Sequence, residues 1–150
     1  MIVKTARFGD IEIEEEKIIK MPEGILGFPN QKRFFIMNHK DTPLKWLQSL
    51  DDPSLAFVIM NPIIFEPNYH INIPKSEVAC LDIFDEKDSL VMVIISIPKD
   101  PSKMTANLQG PLVINTKKML AKQLILSDGK YTTRHYIFPQ LKKNVASDNR

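Results

Sequence analysis

The order of apolar and polar positions predicts strands along almost the whole chain. Residues 2–7 (IVKTAR) form a strand-like run, Phe8-Gly9-Asp10 turns the chain, and Ile11-Glu12-Ile13-Glu14 alternates with period two. The run 33–38 (RFFIMN) reads as a further strand. In 44–50 (LKWLQSL), Leu44, Trp46 and Gln48 share one face and Lys45, Leu47 and Ser49 the other. Two runs, 55–61 (LAFVIMN) and 90–97 (LVMVIISI), are apolar on both faces. Strands of that kind usually lie in parallel sheets covered by helices. No window here carries a sustained i, i+3, i+4, i+7 apolar stripe. The pattern therefore predicts a closed or sandwiched β structure whose outer face is covered by a loop or short helix, or meets a partner.

The stretch 105–115 (TANLQGPLVIN) sits between two apolar strand candidates, 90–97 and 122–126. Pro111 cannot donate a ladder hydrogen bond and Gly110 tolerates positive φ, so a bulge or bend is expected there, with Leu112 and Ile114 on one face and Val113 on the other. Pro22-Glu23-Gly24 and Asp51-Asp52-Pro53 mark turns, and the acidic triplet Glu14-Glu15-Glu16 reads as a solvated turn. Residues 62–67 read as a loop or single helical turn, 68–73 as a short strand, and 74–83 as the best helix. Ser127-Asp128-Gly129 reads as a hairpin turn feeding a last strand over 130–137. The fold class is mainly β: one small antiparallel β-barrel-like domain, residues 1–140, with one or two short helices. The polar residues 141–150 read as a disordered tail.

Composition narrows the chemistry. A chain of 150 residues, 43% hydrophobic and 25% charged, can build one core without metal or disulfide. Its formal net charge of +2 argues little about polyanions. The one cysteine, Cys80, excludes an internal disulfide and reads as a small buried hydrophobe. The first residues already alternate, with no apolar secretory core, and the longest apolar run, 90–95, is far short of the roughly 20 residues that span a bilayer. A cytoplasmic protein without membrane association is expected.

His39, His70 and His135 lie far apart with no ligand at metal spacing, and no glycine-rich phosphate loop or nucleophile elbow occurs. We therefore expect no catalytic residue, cofactor or metal site. Asp82, Asp85, Glu86 and Asp88 crowd into DIFDEKD, which lacks the glycine and acid spacing of a calcium loop and reads as a solvated loop or acidic docking patch. Lys117, Lys118, Lys122, Lys142 and Lys143 are scattered among nearly as many acids. A nucleic-acid-binding small β-barrel is thus the alternative to a protein-binding one.

Several blocks carry a resemblance: Thr5-Ala6-Arg7-Phe8-Gly9, Pro22-Glu23-Gly24-Ile25-Leu26-Gly27-Phe28, Trp46-Leu47-Gln48-Ser49, Leu55-Ala56-Phe57, Pro62 with Phe65-Glu66-Pro67-Asn68-Tyr69, and Asn107 through Asn115. Together, in order from about residue 2 to 137, they resemble the flagellar assembly factor family FliW. The resemblance implies a non-enzymatic monomeric barrel in the cytoplasm with two partners. It binds flagellin monomer and, once flagellin is depleted, it binds the translational repressor CsrA and antagonises it allosterically, without contacting nucleic acid itself. On this reading Phe65 and Tyr69 contribute to an apolar docking surface, and Asp82, Asp85, Glu86 and Asp88 to the contact with CsrA. The chain departs from the family pattern at Asn61 and Asn68, where aspartates are usual, and at Gly110, where alanine is usual.

Overall fold

The structure, a computed structural model, describes residues 1–127 and 129–138; the expected tail over 141–150 lies outside them. Strands β1 (Ile2–Thr5) and β2 (Gly9–Glu12) form an antiparallel hairpin of their own. Its turn is closed by Thr5, whose hydroxyl donates to the Gly9 carbonyl and accepts from Phe8 N–H. After a 3₁₀ turn (Glu15–Lys17) come β3 (Ile19–Lys20), β4 (Arg33–Asn38), β5 (Lys45–Ser49) and β6 (Ala56–Met60). A second 3₁₀ turn (Pro62–Ile64), the helix α1 (Lys75–Cys80) and a third 3₁₀ turn (Glu86–Asp88) precede β7 (Ser89–Ser96). A further 3₁₀ turn (Pro101–Lys103), β8 (Thr105–Ala106), β9 (Leu112–Asn115), β10 (Leu120–Gln123) and β11 (His135–Tyr136) complete the described chain.

The strands run in the order β7-β6-β5-β4-β3-β10-β9, and β9 pairs back onto β7, so the sheet closes into a seven-stranded barrel. Its neighbours are antiparallel except β3 with β10, which run parallel. Closure leaves no continuous free edge of the kind an open sheet exposes. The hairpin tip is tied to the barrel wall by Ala6 N–H donating to the Pro53 carbonyl, and Phe8 and the Arg7 guanidinium pack on the Trp46 ring at 5.5 and 4.5 Å.

Both faces of the doubly apolar strands are buried, each in a different core. Ile59 of β6, Met92 of β7 and Leu112 and Ile114 of β9 point into the barrel with Ile19, Phe34, Leu47 and Ala121. Met60, Val93 and Ile95 point outward and are covered by Phe65, Tyr69, Leu108 and Ile137. Val113 points outward and is covered by Leu81, Ile83 and Leu124, beside helix α1. The strands read as apolar on both faces because the cover consists of loops and one short helix, whose own patterns are too brief to show periodicity.

The 105–115 stretch bends where expected, for a reason that differs at Gly110. Residues 105 and 106 pair with Ser96 and Ile95, and Asn107 N–H still reaches the Ile94 carbonyl. Residues 108–111 then leave the sheet, and Leu112 rejoins opposite Met92. Gly110 is not at positive φ. Space is what it supplies: a Cβ there would lie 2.9 Å from both Asn107 Nδ2 and Gln123 Nε2. Those side chains close the bend, Asn107 Oδ1 accepting from Gly110 N–H and Gln123 Nε2 donating to its carbonyl.

Other expectations are corrected. Residues 68–73 form no strand; the segment lies across the barrel, with Ile71 packed against both outer cores. The last strand is two residues long rather than 130–137. Helix α1 is shorter than 74–83, because Asp82 turns to positive φ and the chain is caught there by Asn115, whose Nδ2 donates to the Leu81 and Asp82 carbonyls. Cys80 is exposed rather than buried, lying at the end of that helix on its solvent side.

Candidate functional site

One side of the barrel carries three grooves that share lining residues and so run into one another. The first, about 540 Å³, lies between the Pro62–Ile64 turn, residues 69–73 and the start of β7; Tyr69 and Glu86 are among its walls. It shares His70 and Ile71 with a second of about 260 Å³, bounded by Pro74, Glu77 and residues 124–127. That one shares Ile125 with a third of about 300 Å³ beside the 23–27 loop. Ile63, Ile125 and Leu26 stand exposed along this line, Leu26 at 76%.

These apolar residues are held out by fixed backbone rather than left on slack loops. Gly24 has φ +66, and a Cβ on it would sit 2.5 Å from the Phe28 carbonyl oxygen, so that turn demands glycine. Ile25 is buried below it, Phe28 N–H donates to the Ile25 carbonyl, and Leu26 N–H donates to Gln123 Oε1 at 2.8 Å. Lys122 joins Glu23 of this loop, at 3.0 Å, to Glu77 of α1, at 2.6 Å. Its hydrogen bond to Glu77, followed by that to Glu23, raises the ammonium pKa well above the usual lysine value. At the other end Asn61 Oδ1 accepts from Ile63 N–H, capping the turn that presents Ile63. The Tyr131 hydroxyl accepts from His70 N–H and donates to the His70 carbonyl, pinning the segment between.

The expected docking residues are placed unevenly. Phe65 is 0% exposed and stacks near the His135 ring; it is a core residue, so it presents nothing to a partner. Tyr69 is also buried, its hydroxyl donating to the Leu108 carbonyl at 2.7 Å, with one edge forming groove floor. The surface shows Ile63 and Ile64 in their place.

The four acids of 82–88 divide. Asp82 pairs with Lys118. Asp85 caps the Glu86–Asp88 turn by accepting from Lys87 N–H, and its other oxygen lies 3.6 Å from Lys87 Nζ. The Asp88 carbonyl accepts from Thr116 N–H and hydroxyl. Glu86 is exposed at the rim of the first groove. Between them Phe84 stands 90% exposed. Sequence reading missed Phe84, Leu26, Ile63 and Ile125. Phe84, Leu26 and Ile63 share one signal, an apolar residue inside a turn-rich or charged stretch, out of phase with any strand; Ile125 lies in the apolar run 122–126, of which only the first two residues belong to β10.

Among the described residues no cluster of His, Cys, Asp and Glu is arranged to hold a metal, and no helix is long and apolar enough to cross a membrane. A closed barrel with a filled interior, covering loops and grooves outside it defines a small β-barrel protein. The chain belongs to the FliW family, whose model, FliW protein, matches residues 2–137. It is 43% identical to the flagellar assembly factor FliW of Alkaliphilus metalliredigens over 99% of this chain and 93% of that one. Against the factor of Geobacter sulfurreducens the identity is 39%, over 100% and 94%. A crystal structure of the flagellar assembly factor FliW superposes with a TM-score of 0.87 at 38% identity, covering 93% of this chain and 98% of that one. The family is one of flagellar assembly factors, not of enzymes.

Proposed function

We propose that this protein binds flagellin monomer in the cytoplasm through the grooved face and, when flagellin is depleted, binds the translational repressor CsrA and antagonises it allosterically, relieving repression of flagellin synthesis. The observation that carries the reading is the continuity of the three grooves, with Ile63, Ile125 and Leu26 held exposed along them. A run of apolar anchors suits an amphipathic helix that folds on binding, as the chain-terminal helices of unassembled flagellin would. Each anchor that becomes fully covered contributes about 1.5–3 kcal/mol before the cost of ordering the helix. Asp85, Glu86 and Phe84 form an acidic and aromatic corner that adjoins the first groove through Glu86 and suits a basic partner. Mass action then sets the switch, since whichever partner is in excess decides how much protein remains free.

Calorimetric titration with flagellin and with CsrA of the same organism, followed by flagellin added to the CsrA complex, tests this. Binding to both with displacement is expected; binding to neither defeats the proposal. Ile63→Asp, on an exposed position, should abolish flagellin binding. Asp85→Lys, at an exposed position outside the groove lining, should weaken CsrA binding in a salt-dependent way and spare flagellin.

A further inference from the structure

Strand β4 is served unevenly by its neighbours. On one edge it pairs with β5 from Phe34 to Asn38; on the other β3 covers only Arg33 and Phe34. Leu50 N–H donates to the Arg33 carbonyl and His39 N–H to the Leu44 carbonyl, so the odd-numbered residues of β4 direct their backbone groups at β5. By the alternation of an antiparallel ladder the even-numbered ones face the opposite edge. Phe34 is used there by β3, while Ile36 and Asn38 face no strand among the described residues. Across from them stands β2. Its ladder with β1 is fixed by Ile13 N–H donating to the Met1 carbonyl, which turns the backbone groups of Asp10 and Glu12 outward. A groove of about 520 Å³ runs along this gap, with Ile19, Phe35 and Met119 among its apolar lining and Glu12 and Glu14 beside them. Glu12 and Glu14 line the groove together with Lys17, and Asp10, Glu15 and Glu16 are exposed nearby in sequence, Asp10 opposite Lys4 in the β1–β2 ladder.

We infer that this slot takes an extended basic segment of a partner protein, which adds to the free edge of β4 as a further strand. Backbone groups of Ile36 and Asn38 supply the ladder bonds, apolar side chains at alternate positions enter the groove, and lysines or arginines on the other face meet Glu12 and Glu14. The unpaired edge selects this occupant, because a helix has no free backbone groups to bond there. The carboxylates select its charge and repel a nucleic acid. The surface is distinct from the grooved face, whose lining shares no residue with it.

The probe is the peptide Lys-Val-Lys-Val-Lys-Val-Lys, added to the full chain and followed by amide exchange and by titration at two salt concentrations. Binding that weakens with salt is expected, with new protection of the Ile36 and Asn38 amides and little change at Phe35 and Met37. The same peptide N-methylated at alternate residues should bind about tenfold more weakly or worse, since it loses two or more ladder bonds. Glu12→Lys with Glu14→Lys, both at exposed positions, should weaken the unmodified peptide. Three results would overturn the proposal: no binding at millimolar peptide, equal binding of the N-methylated form, or protection of Ile36 and Asn38 that rises with protein concentration alone, which would assign the slot to a second copy of this chain.

Discussion

Strands β7 and β4 face the same problem and end differently. β4 has one edge occupied along its length by β5, β7 has one edge paired with β6 over 93–95, and each has a second edge that its sequence neighbours must cover. On β7 the cover is complete: β9 pairs with 89–92, Asn107 reaches Ile94, and β8 takes Ile95 and Ser96. The chain achieves this by leaving the sheet for 108–111 and returning, with Leu108 buried in the outer core during the detour. On β4 the chain before β3 is spent on the Glu15–Lys17 turn, β3 contributes two residues, and Ile36 and Asn38 stay open. A closed barrel still owns a local free edge wherever one stave is paired over a shorter length than its neighbour. Here the detour that closes one edge is built from specific side chains, and the open edge is flanked by charge, a device that keeps strands from pairing at random.

Proline separates the two edges most sharply. Val93→Pro removes a ladder donor from a strand covered on both sides and should cost about 3 kcal/mol or more in denaturant unfolding. Leu108→Ala attacks the detour itself; with that side chain wholly buried, a loss of about 2–4 kcal/mol is expected. Next comes the corner where β4 begins. Asp51 accepts from the backbone N–H groups of Lys32 and Arg33 and from the Arg33 guanidinium. Burial pushes its pKa up, but those hydrogen bonds outweigh it and leave the carboxyl below its usual 3.8. A depressed folded pKa stabilises above the unfolded value and is lost as pH falls through the folded one. Solvent screens this exposed corner, so Asp51→Ala should cost about 1 kcal/mol or less at neutral pH, with the difference from wild type shrinking below about pH 4, as read by unfolding midpoints across pH.

The smallest effects sharpen the contrast. Asn38→Pro removes an N–H that no strand uses, so it should cost well under the Val93→Pro loss, by about 2 kcal/mol or more. Gly110→Ala meets only the ends of two flexible side chains and stays in a backbone region open to alanine, so it should change stability by less than about 1 kcal/mol. A large loss on Asn38→Pro would mean that the edge of β4 is in use, and a large loss on Gly110→Ala that the bend is rigid.

Much of this was legible in the residues. Period-two alternation placed a strand at 11–14, of which only Ile11 and Glu12 belong to β2 while Gly9 and Asp10, read as a turn, begin it; the runs 33–38 and 44–50 located β4 and β5, double apolarity located β6 and β7, and Gly110-Pro111 located the detour. The docking surface was hard to read for a physical reason. An aromatic in a loop block can plug a core or meet a partner, and composition does not separate the two; Phe65 and Tyr69 plug. Leu26 and Phe84 are the exposed ones, and they stand in stretches whose turn residues and charges gave no period against which to judge them.

By itself the sequence determined that the chain is mainly β, that it bends at 110–111, that two strands must be covered on both faces, and that it carries blocks of the FliW family. These follow from local rules: which side of a pleat a residue occupies, which residue can forgo a donor, which can forgo a Cβ. Tertiary structure decided the rest. Barrel closure through β7 and β9, the sharing of one apolar run between an inner and an outer core, the burial of Phe65, the run of grooves from Leu26 to Ile63 and the open edge of β4 depend on which distant segments meet. Burial and pairing are properties of both partners in a contact, and a single stretch of sequence names only one of them.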